Sequence, residues 1–376
     1  MSLLSSIVHV PATLLRADAS DPSDAGAHFA LQVIKVEPPE GDSMRYVQRQ
    51  PQAPDGSFQQ NGEVIDHGFT LDNRGKQSIA VNLTTPEGQE IVRDLAKKAD
   101  VFLTNLLPVR LARYGLDYAT IDETNPQIVY CSISGWGLKG PDPDRLAFDM
   151  TAFFARGGVM GMWGEPGQPP VKPRSGQGDH QTGLAGFSSI LAALLLREKT
   201  GKGSLCETSL IRAASWNMGE DLVATLVDGV QPRKTITDQD GVSTRCYETG
   251  DERWIIVMMP FREDYYWPRF CNALGRPEWA EAEEYSTPSK RGVARVELGA
   301  TIQEIFRTDT MANWLDKLEE AGCIAGPIAT LPEVCEDPQL RANGAFREVT
   351  HPVAGTFETV RAFCLTPLLL CPFINS

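Results

Sequence analysis

The sequence predicts an α/β fold: a Rossmann-like, doubly wound parallel sheet with a second, smaller α+β domain. Three observations predict it. Short apolar runs alternate with amphipathic helical stretches from about residue 33 to residue 209, which is the βαβα order of a parallel sheet covered by helices. The composition changes after about Ala214, and 228–243 is a polar stretch. Beyond it, a short alternating strand pair is followed by charge-rich helical segments.

Apolar runs bounded by turn residues mark the strands of the first domain. The run at 78–83 is followed by Thr84, Thr85 and Pro86, which together are typical of a helix start, and then by an amphipathic stretch. Residues 184–196 are almost wholly apolar and small, which predicts a buried helix. We therefore expect strands at 33–36, 78–83, 101–103, 128–134 and 204–209, and helices at 87–98, 107–114 and 182–196.

The second domain begins with two alternating runs, 245–248 and 254–259, on either side of the turn Thr249-Gly250-Asp251. Charged, periodic stretches predict helices at 263–274, 291–306 and 312–321, and 352–357 has the pattern of a strand. From these shifts we expect a large domain over 1–214, a small domain with its linkers over 215–330, and a closing segment over 331–376.

Composition limits the function classes. A formal net charge of -14 over 376 residues excludes a broad basic face for nucleic acid or anionic membranes. No apolar run approaches the ~20 residues of a membrane span, and no secretory signal pattern is present. Eight scattered cysteines without CxxC pairs indicate reduced thiols, so we expect a cytoplasmic protein, with an organelle matrix as the alternative. No cluster has zinc-ligand spacing, and we predict no metal.

Residues 176–186, GQGDHQTGLAG, are the most informative stretch. They set Asp179 among glycines just before the apolar helix, and glycines let a ligand and backbone N–H groups approach a carboxylate closely. Asp is also a leading helix N-cap residue, so a structural cap is the alternative interpretation. Asn105 and Gly135 each follow a predicted strand, which assigns both to the edge of the sheet where ligands bind.

Other motifs surround this stretch in a characteristic order. They are VIKVEPPEGDSMR (33–45), FTLDNRGKQSIAVNL (69–83), residues 85–117, NPQIVYCSISGWGLKGP (125–141), LREKTGKGSLCETSL (196–210) and GDERWIIVMM (250–259). Over about residues 30–355, the chain resembles the class III coenzyme A transferases, which include formyl-CoA and carnitine CoA-transferases and the related alpha-methylacyl-CoA racemases. The resemblance implies that the closing segment returns to the first domain and that two chains form an interlocked homodimer.

The resemblance also implies the chemistry. Asp179 falls where the family keeps its catalytic aspartate, which would move CoA from an acyl-CoA to a small carboxylic acid through an acyl-aspartyl anhydride and an aspartyl-CoA thioester. Gly178 and Gly183 are candidate oxyanion donors. CoA would be a substrate, and no tightly bound cofactor is expected. The residues that match CoA-contacting positions of the family are Asn73, Arg74, Lys76, Asn105, Leu106 and Arg113.

Two other functions stay open. Racemases carry a His-Asp pair where this chain has Phe148-Asp149; Phe148 cannot move a proton, although Asp149 and Asp179 could act as an acid-base pair. A degenerate CoA-binding subunit is the second alternative. Its basis is the atypical stretch 1–32. The segment 234–243 offers only Gly241 where transferases of this group often have a glycine-rich loop, and the loss of such a lid predicts acyl-CoA hydrolysis beside transfer. His180 is a further candidate for acid-base chemistry.

Overall fold

The computed structural model of the protein describes residues 12–18, 30–45, 59–60, 63–64, 67–74, 76–232, 234, 240–351 and 355–361. These residues group into two compact units. The first unit draws on 1–161, 172–231 and 341–376, and the second on 162–171 and 232–340. The boundaries expected from the sequence, after residues 214 and 330, lie somewhat earlier in the chain than the boundaries in the structure, which follow residues 231 and 340. A helix at Gly219–Asp228 contacts the helix before it, which keeps it with the first unit.

In chain order, the strands of the described residues are β1 (Ala12–Asp18), β2 (Ala30–Glu37), β3 (Gln59–Gln60), β4 (Glu63–Val64), β5 (Gln77–Ala80), β6 (Val101–Thr104), β7 (Val129–Ser134), β8 (Ser204–Ser209), β9 (Cys246–Glu248), β10 (Trp254–Val257), β11 (Ala325–Pro327), β12 (Phe346–His351) and β13 (Gly355–Val360).

The helices are α1 (His67–Asn73), α2 (Pro86–Ala96), α3 (Pro108–Tyr114), α4 (Tyr118–Thr124), α5 (Val159–Met162), α6 (Gln177–Thr200), α7 (Leu210–Asn217), α8 (Gly219–Asp228), α9 (Glu263–Ala273), α10 (Pro288–Phe306), α11 (Met311–Glu320), α12 (Leu331–Glu336) and α13 (Pro338–Ala342). A π-helical segment at Met150–Arg156 precedes α5.

The first unit is built on a sheet that has six strands in the described part of the chain, in the order β5-β2-β1-β6-β7-β8. β5 runs parallel to β2, and β6, β7 and β8 run parallel to one another. β1 lies between these two groups and runs antiparallel to both of its neighbours. The α/β class predicted from the sequence is confirmed, with one antiparallel strand in an otherwise parallel sheet.

Helices cover both faces of this sheet, because alternate residues of each strand point to opposite sides. On one face, the rings of Phe102 and Tyr130 stack with centroids 4.9 Å apart and share a core with Val92 of α2. On the other face, Cys131 of β7 packs in a core with Ile190 of α6. The sheet is therefore doubly wound.

α6 approaches the sheet closely through a face of small residues. A Cβ at Gly186 would lie 2.7 Å from Ile133 Cδ1, so a larger residue there would require the Ile133 side chain to shift. The helix is longer than the predicted 182–196. The prediction that it is buried throughout is wrong for the single chain, because Leu191 and Leu195 are 45% and 69% exposed. Both leucines lie on the side of the helix that faces away from the sheet.

The second unit contains the antiparallel sheet β11-β10-β9 and the helices α9, α10 and α11. Its core includes the stacked rings of Tyr247 and Phe306, with centroids 4.6 Å apart, and the indole of Trp314, which donates to the Phe306 carbonyl oxygen at 2.7 Å. The strand pair and the three helices predicted here are confirmed within a few residues. Of the predicted polar stretch 228–243, residues 233 and 235–239 lie outside the described residues.

The closing segment contains the hairpin β12–β13, which belongs to the first unit. The strand predicted at 352–357 overlaps β13, and 352–354 lie outside the described residues.

Candidate active site

Asp179 lies in the first turn of α6. The helix begins at Gln177, and its N-cap is Gly176, whose φ of 96° is left-handed and suits glycine. The interpretation of Asp179 as the N-cap is therefore wrong, because its backbone is already helical. The side chain is only 6% exposed, and a carboxylate in the first turn is stabilised by the helix dipole.

Asp149 anchors the start of this helix. Its buried carboxylate accepts the Gly176 N–H through Oδ2 at 2.6 Å, and the Gly178 N–H also donates to it. Burial raises the pKa of Asp149, the negative charge of Asp179 raises it further, and these backbone donors oppose the shift. The Asp179 carboxylate is thus close enough to raise the pKa of Asp149.

Of the two glycines predicted as oxyanion donors, Gly178 is tightly packed at the start of α6. A Cβ at Gly178 would lie 2.8 Å from Phe153 Cβ and 3.0 Å from Asp149 Cβ, so no other residue fits without a shift. The Gly178 N–H is already directed at Asp149. Gly183 lies one turn further on, where the N–H of a helical residue bonds to the carbonyl four residues earlier. Both N–H groups therefore have partners within the protein, and this geometry does not support their oxyanion role.

Two of the predicted CoA contacts form a pair between α1 and β5. Asn73 donates to the Phe69 carbonyl oxygen at 2.9 Å, and its own Oδ1 accepts from Lys76 Nζ at 3.5 Å. Burial, together with the smaller effect of repulsion from Lys35, lowers the pKa of Lys76 to about 7. The nearby Asp72 and Asp42 oppose this shift. Near neutral pH the Lys76 amine is therefore only partly protonated, and an anionic ligand would favour its charged form.

The helix that carries Asn73 lies beside the first turn of α6. Asp72 Oδ1 is 3.9 Å from Nε2 of His180, the residue after Asp179, and the His180 side chain is 53% exposed. The residue before Asn73 thus lies close to the residue after Asp179. Arg74 is directed elsewhere, because its Nη2 donates to the Val360 carbonyl oxygen of the closing hairpin at 2.9 Å.

A buried ion network adjoins Lys76, and sequence analysis missed it. Lys35 and Glu37 of β2 are 1% and 3% exposed. Lys35 Nζ lies 2.5 Å from Asp42 Oδ2, and Arg45 donates twice to Glu37, each time at 2.8 Å. Lys35 and Arg45 also lie over the Phe69 ring, 4.5 and 4.2 Å from its centroid. The sequence feature that could have indicated this network is the presence of Lys35 and Glu37 in a strand whose other residues are mostly apolar.

A cavity of about 260 Å³ lies where the loops after β6 and β7 meet. Asn105 and Leu106 line it from the first loop and Gly135 from the second, as the rule for the edge of the sheet predicted. Arg110 and Arg145 also line this cavity, and their guanidinium groups suit an anionic ligand. Sequence analysis did not single out these two arginines, because isolated charges are ordinary at a protein surface.

Arg113, the remaining predicted CoA contact, is exposed and is not among the residues that line this cavity. α3 contributes Arg110, one turn earlier, to the cavity instead. Trp136, which follows Gly135, stacks against arginines: the guanidinium carbons of Arg145 and Arg156 lie 5.2 and 4.8 Å from its ring centroid.

The described residues contain no group of three or more His, Cys, Asp or Glu side chains that could hold a metal ion. Within the same part of the chain, no helix combines the length and the apolar character needed to cross a bilayer.

Known proteins are similar to this chain in sequence and in architecture. The profile of CoA-transferase family III matches residues 23–367. The chain is 32% identical over 348 residues to a cinnamoyl-CoA:phenyllactate CoA-transferase of Clostridium sporogenes, which covers 90% of this chain and 82% of that protein. It is 32% identical over 352 residues to a formyl-CoA:oxalate CoA-transferase of Streptomyces avermitilis, covering 89% and 82%.

The crystal structure of a CaiB/BaiF family protein from Brucella suis superposes with a TM-score of 0.75 at 31% identity, covering 89% of this chain and 85% of that one. The match of the family profile includes α6 with Asp179, the second unit and the strands of the six-stranded sheet except β1. The chain belongs to CoA-transferase family III and is an acyl-CoA:carboxylate CoA-transferase of class III.

Proposed function

We propose that Asp179 is the covalent nucleophile of this CoA-transferase. Its carboxylate oxygen attacks the thioester carbonyl of the donor, the C–S bond breaks, and CoA thiolate leaves behind an acyl-aspartyl anhydride. The thiolate then attacks the aspartyl carbonyl, which releases the donor acid and forms an aspartyl-CoA thioester. The acceptor carboxylate attacks that thioester to give a second anhydride, and the returning thiolate forms the new acyl-CoA and restores Asp179.

The observation that carries this proposal is the way in which the carboxylate is held. Asp179 is buried in the first turn of α6, and Asp149 fixes that turn through the Gly176 N–H. A nucleophile whose backbone is fixed loses little freedom when the substrate binds, which lowers the barrier to attack.

CoA would bind along the cationic side chains near this turn. Its phosphates need local positive charge, because the chain as a whole carries a formal charge of -14. Lys76 beside Asn73, and the cavity lined by Asn105, Leu106, Arg110 and Arg145, supply that charge. Contacts of CoA with Arg74 and Arg113 stay predictions from the family resemblance.

The substrates are then an acyl-CoA and a small carboxylic acid, and the reaction requires no tightly bound cofactor, because a carboxylate nucleophile suffices for the exchange. The cytoplasmic location inferred from the cysteine pattern stays a prediction.

A homodimer is part of the proposal. Apolar side chains on α6, α7 and α8 face away from the core of the single chain; for example, Trp216 is 89% and Leu226 is 83% exposed. Exposed apolar surface of this extent is typical of a protein interface. Light scattering on the purified protein tests this part, and a monomer at micromolar concentration would contradict it.

Proton transfer is the second candidate, because the raised pKa of Asp149 next to Asp179 suits an acid-base pair. Phe148, which is 68% exposed, offers no proton carrier. The two functions differ in a simple way: a racemase exchanges the α-proton of an acyl-CoA with heavy water in the absence of any acceptor acid, whereas a transferase requires the acceptor.

The deciding experiment is intact-protein mass spectrometry after incubation with a panel of acyl-CoAs, with and without hydroxylamine. We expect an acyl or CoA adduct that hydroxylamine removes. Asp179→Asn should lose both the adduct and the transfer activity while still binding CoA. Glu198→Gln is the matched control, because Glu198 is an exposed carboxylate on the same helix. An adduct formed in equal yield by Asp179→Asn would contradict the proposal. If the wild type bound CoA without forming any adduct, a non-catalytic subunit would be favoured.

A further inference from the structure

Two cysteines lie directly opposite each other on neighbouring strands of the central sheet. Cys131 of β7 and Cys206 of β8 are register partners in a parallel pair. Cys131 is fully buried, and Cys206 is half-buried and packs against the same core beneath α6. Both thiols are free, and the solvent-facing side of the pair is Cys206.

The geometry suits a covalent link. Neighbouring strands are about 4.8 Å apart, and disulfides join residues whose Cα atoms are roughly 4.4–6.8 Å apart. The Cys206 thiol and burial together raise the pKa of Cys131, whereas the neighbouring Cys131 thiol lowers the pKa of Cys206. Cys206 is therefore the sulfur that more readily becomes a thiolate, and it is also the more exposed of the two.

We propose that Cys131 and Cys206 form a reversible oxidation site that controls the packing of α6. With a peroxide as the oxidant, the Cys206 thiolate attacks one oxygen and the O–O bond breaks. Hydroxide departs, and Cys206 becomes a sulfenic acid. Cys131 sulfur then attacks the sulfenic sulfur, the S–S bond forms, and the sulfenic oxygen leaves as water with the Cys131 proton. Two thiols are oxidised and one peroxide is reduced to water; a dithiol reverses the change by thiol–disulfide exchange.

The disulfide would affect the position of Asp179 through the packing of α6. The Cys131 thiol lies 4.0 Å from the Gly186 carbonyl oxygen, two helical turns after Asp179. At this point the helix is packed closely against β7, because a Cβ at Gly186 would lie 2.7 Å from Ile133 Cδ1. A bond that draws the two sulfurs together must change the surface on which the helix rests, because packed interiors transmit small displacements. The effect on transfer rests on the proposed role of Asp179, whereas formation of the disulfide does not.

The test exposes the native full-length protein to hydrogen peroxide, then denatures it, alkylates the remaining thiols and maps the peptides. We expect a cross-linked peptide that joins Cys131 to Cys206, with the loss of two hydrogen atoms, reversed by dithiothreitol. Transfer should fall by roughly tenfold or more and recover on reduction, since small displacements of catalytic groups are costly. Cys206→Ser should resist this loss, whereas Cys246→Ser, a half-buried thiol of the second unit, should behave as wild type.

Three results would overturn the proposal or one of its parts. Full alkylation of both cysteines while the exposed Cys335 is oxidised would remove the site. A complete Cys131–Cys206 link with unchanged transfer would remove the coupling to α6. A link between either cysteine and a different thiol would show that register does not direct the chemistry. If the reduced wild type shows no transfer at all, the proposed function fails, and the peptide map still decides the oxidation site.

Discussion

The carboxylate of Asp149 accepts the backbone N–H of Gly176 at 2.6 Å, and this bond joins the segment after β7 to the N-cap of α6. Gly176 has a left-handed backbone, so the direction of the first helical turn is set at this residue. Asp179 lies within that turn. The orientation of the candidate nucleophile thus depends on a second carboxylate far from it in sequence.

Asp149 variants should separate positioning from charge. Asp149→Ala removes the acceptor of the Gly176 N–H. We expect the transfer rate to fall roughly 10²-fold, because a small displacement of the nucleophile has an effect of this size. Asp149→Asn retains an acceptor oxygen without the charge and should lose less. Steady-state kinetics and the yield of the hydroxylamine-sensitive adduct measure both effects. Equal activity in wild type and Asp149→Ala would show that α6 does not need this anchor.

Gly178 should tolerate no side chain. In Gly178→Ala the new methyl group would lie 2.8 Å from Phe153, and we expect a loss of about 1–3 kcal/mol in stability together with a slower reaction. Gly292→Ala is the matched control, because a Cβ there meets nothing within 4 Å in α10. Thermal unfolding of the two variants tests this difference; similar melting temperatures would contradict the close packing of α6.

CoA binding should weaken as the pH rises above neutrality. Burial, with help from Lys35, lowers the pKa of free Lys76 to about 7, and a bound phosphate favours the protonated amine, so binding takes up a proton. The Kd should therefore rise by up to about tenfold per pH unit above that value until the pKa of the complex is reached. Titration calorimetry in buffers of different ionisation enthalpy measures the proton uptake. In Lys76→Gln the pH dependence should vanish; its persistence would assign it to another group.

The buried ion network should contribute to stability at neutral pH and lose its effect in acid. Burial by itself raises the pKa of Glu37, but hydrogen bonds from Arg45, the Asp42 N–H and Ser78, with Lys35 nearby, lower it to about 2. Because this folded pKa lies below the ordinary 4.5, the contribution is complete above pH 4.5 and disappears as the pH falls towards about 2.

Glu37→Gln should therefore destabilise the protein at pH 7 by about 1.5–3 kcal/mol, because the part-exposed Arg45 loses its charged acceptor while the buried Lys35 keeps Asp42 as its partner. Glu90→Gln breaks an exposed pair with Arg93 and should cost no more than about 1 kcal/mol. Urea midpoints at several pH values compare the two variants. A parallel pH profile for wild type and Glu37→Gln would mean that Glu37 does not carry the acid sensitivity.

Residues predicted from the sequence differ in how well the structure supports them. Asn105 and Gly135 were assigned to one edge of the sheet from strand order alone, and both line the same cavity. Arg113 is not among the residues that line it, whereas Arg110 is, because the side of a short helix that meets a cavity depends on how the helix packs. The exposed leucines of α6 were expected to be buried, since apolar periodicity does not show whether the covering surface belongs to the same chain.

The sequence by itself determined the alternation of strands and helices, the family and the choice of Asp179, because these depend on periodicity and on motifs of consecutive residues. Only the tertiary structure decided that Asp149 anchors α6 and that Cys131 faces Cys206. It also revealed that Lys35 and Glu37 are buried as ions and that β1 is antiparallel. The physical reason is that these contacts join residues far apart in the chain, and local sequence does not encode the distance between two side chains until the sheet and its covering helices have packed.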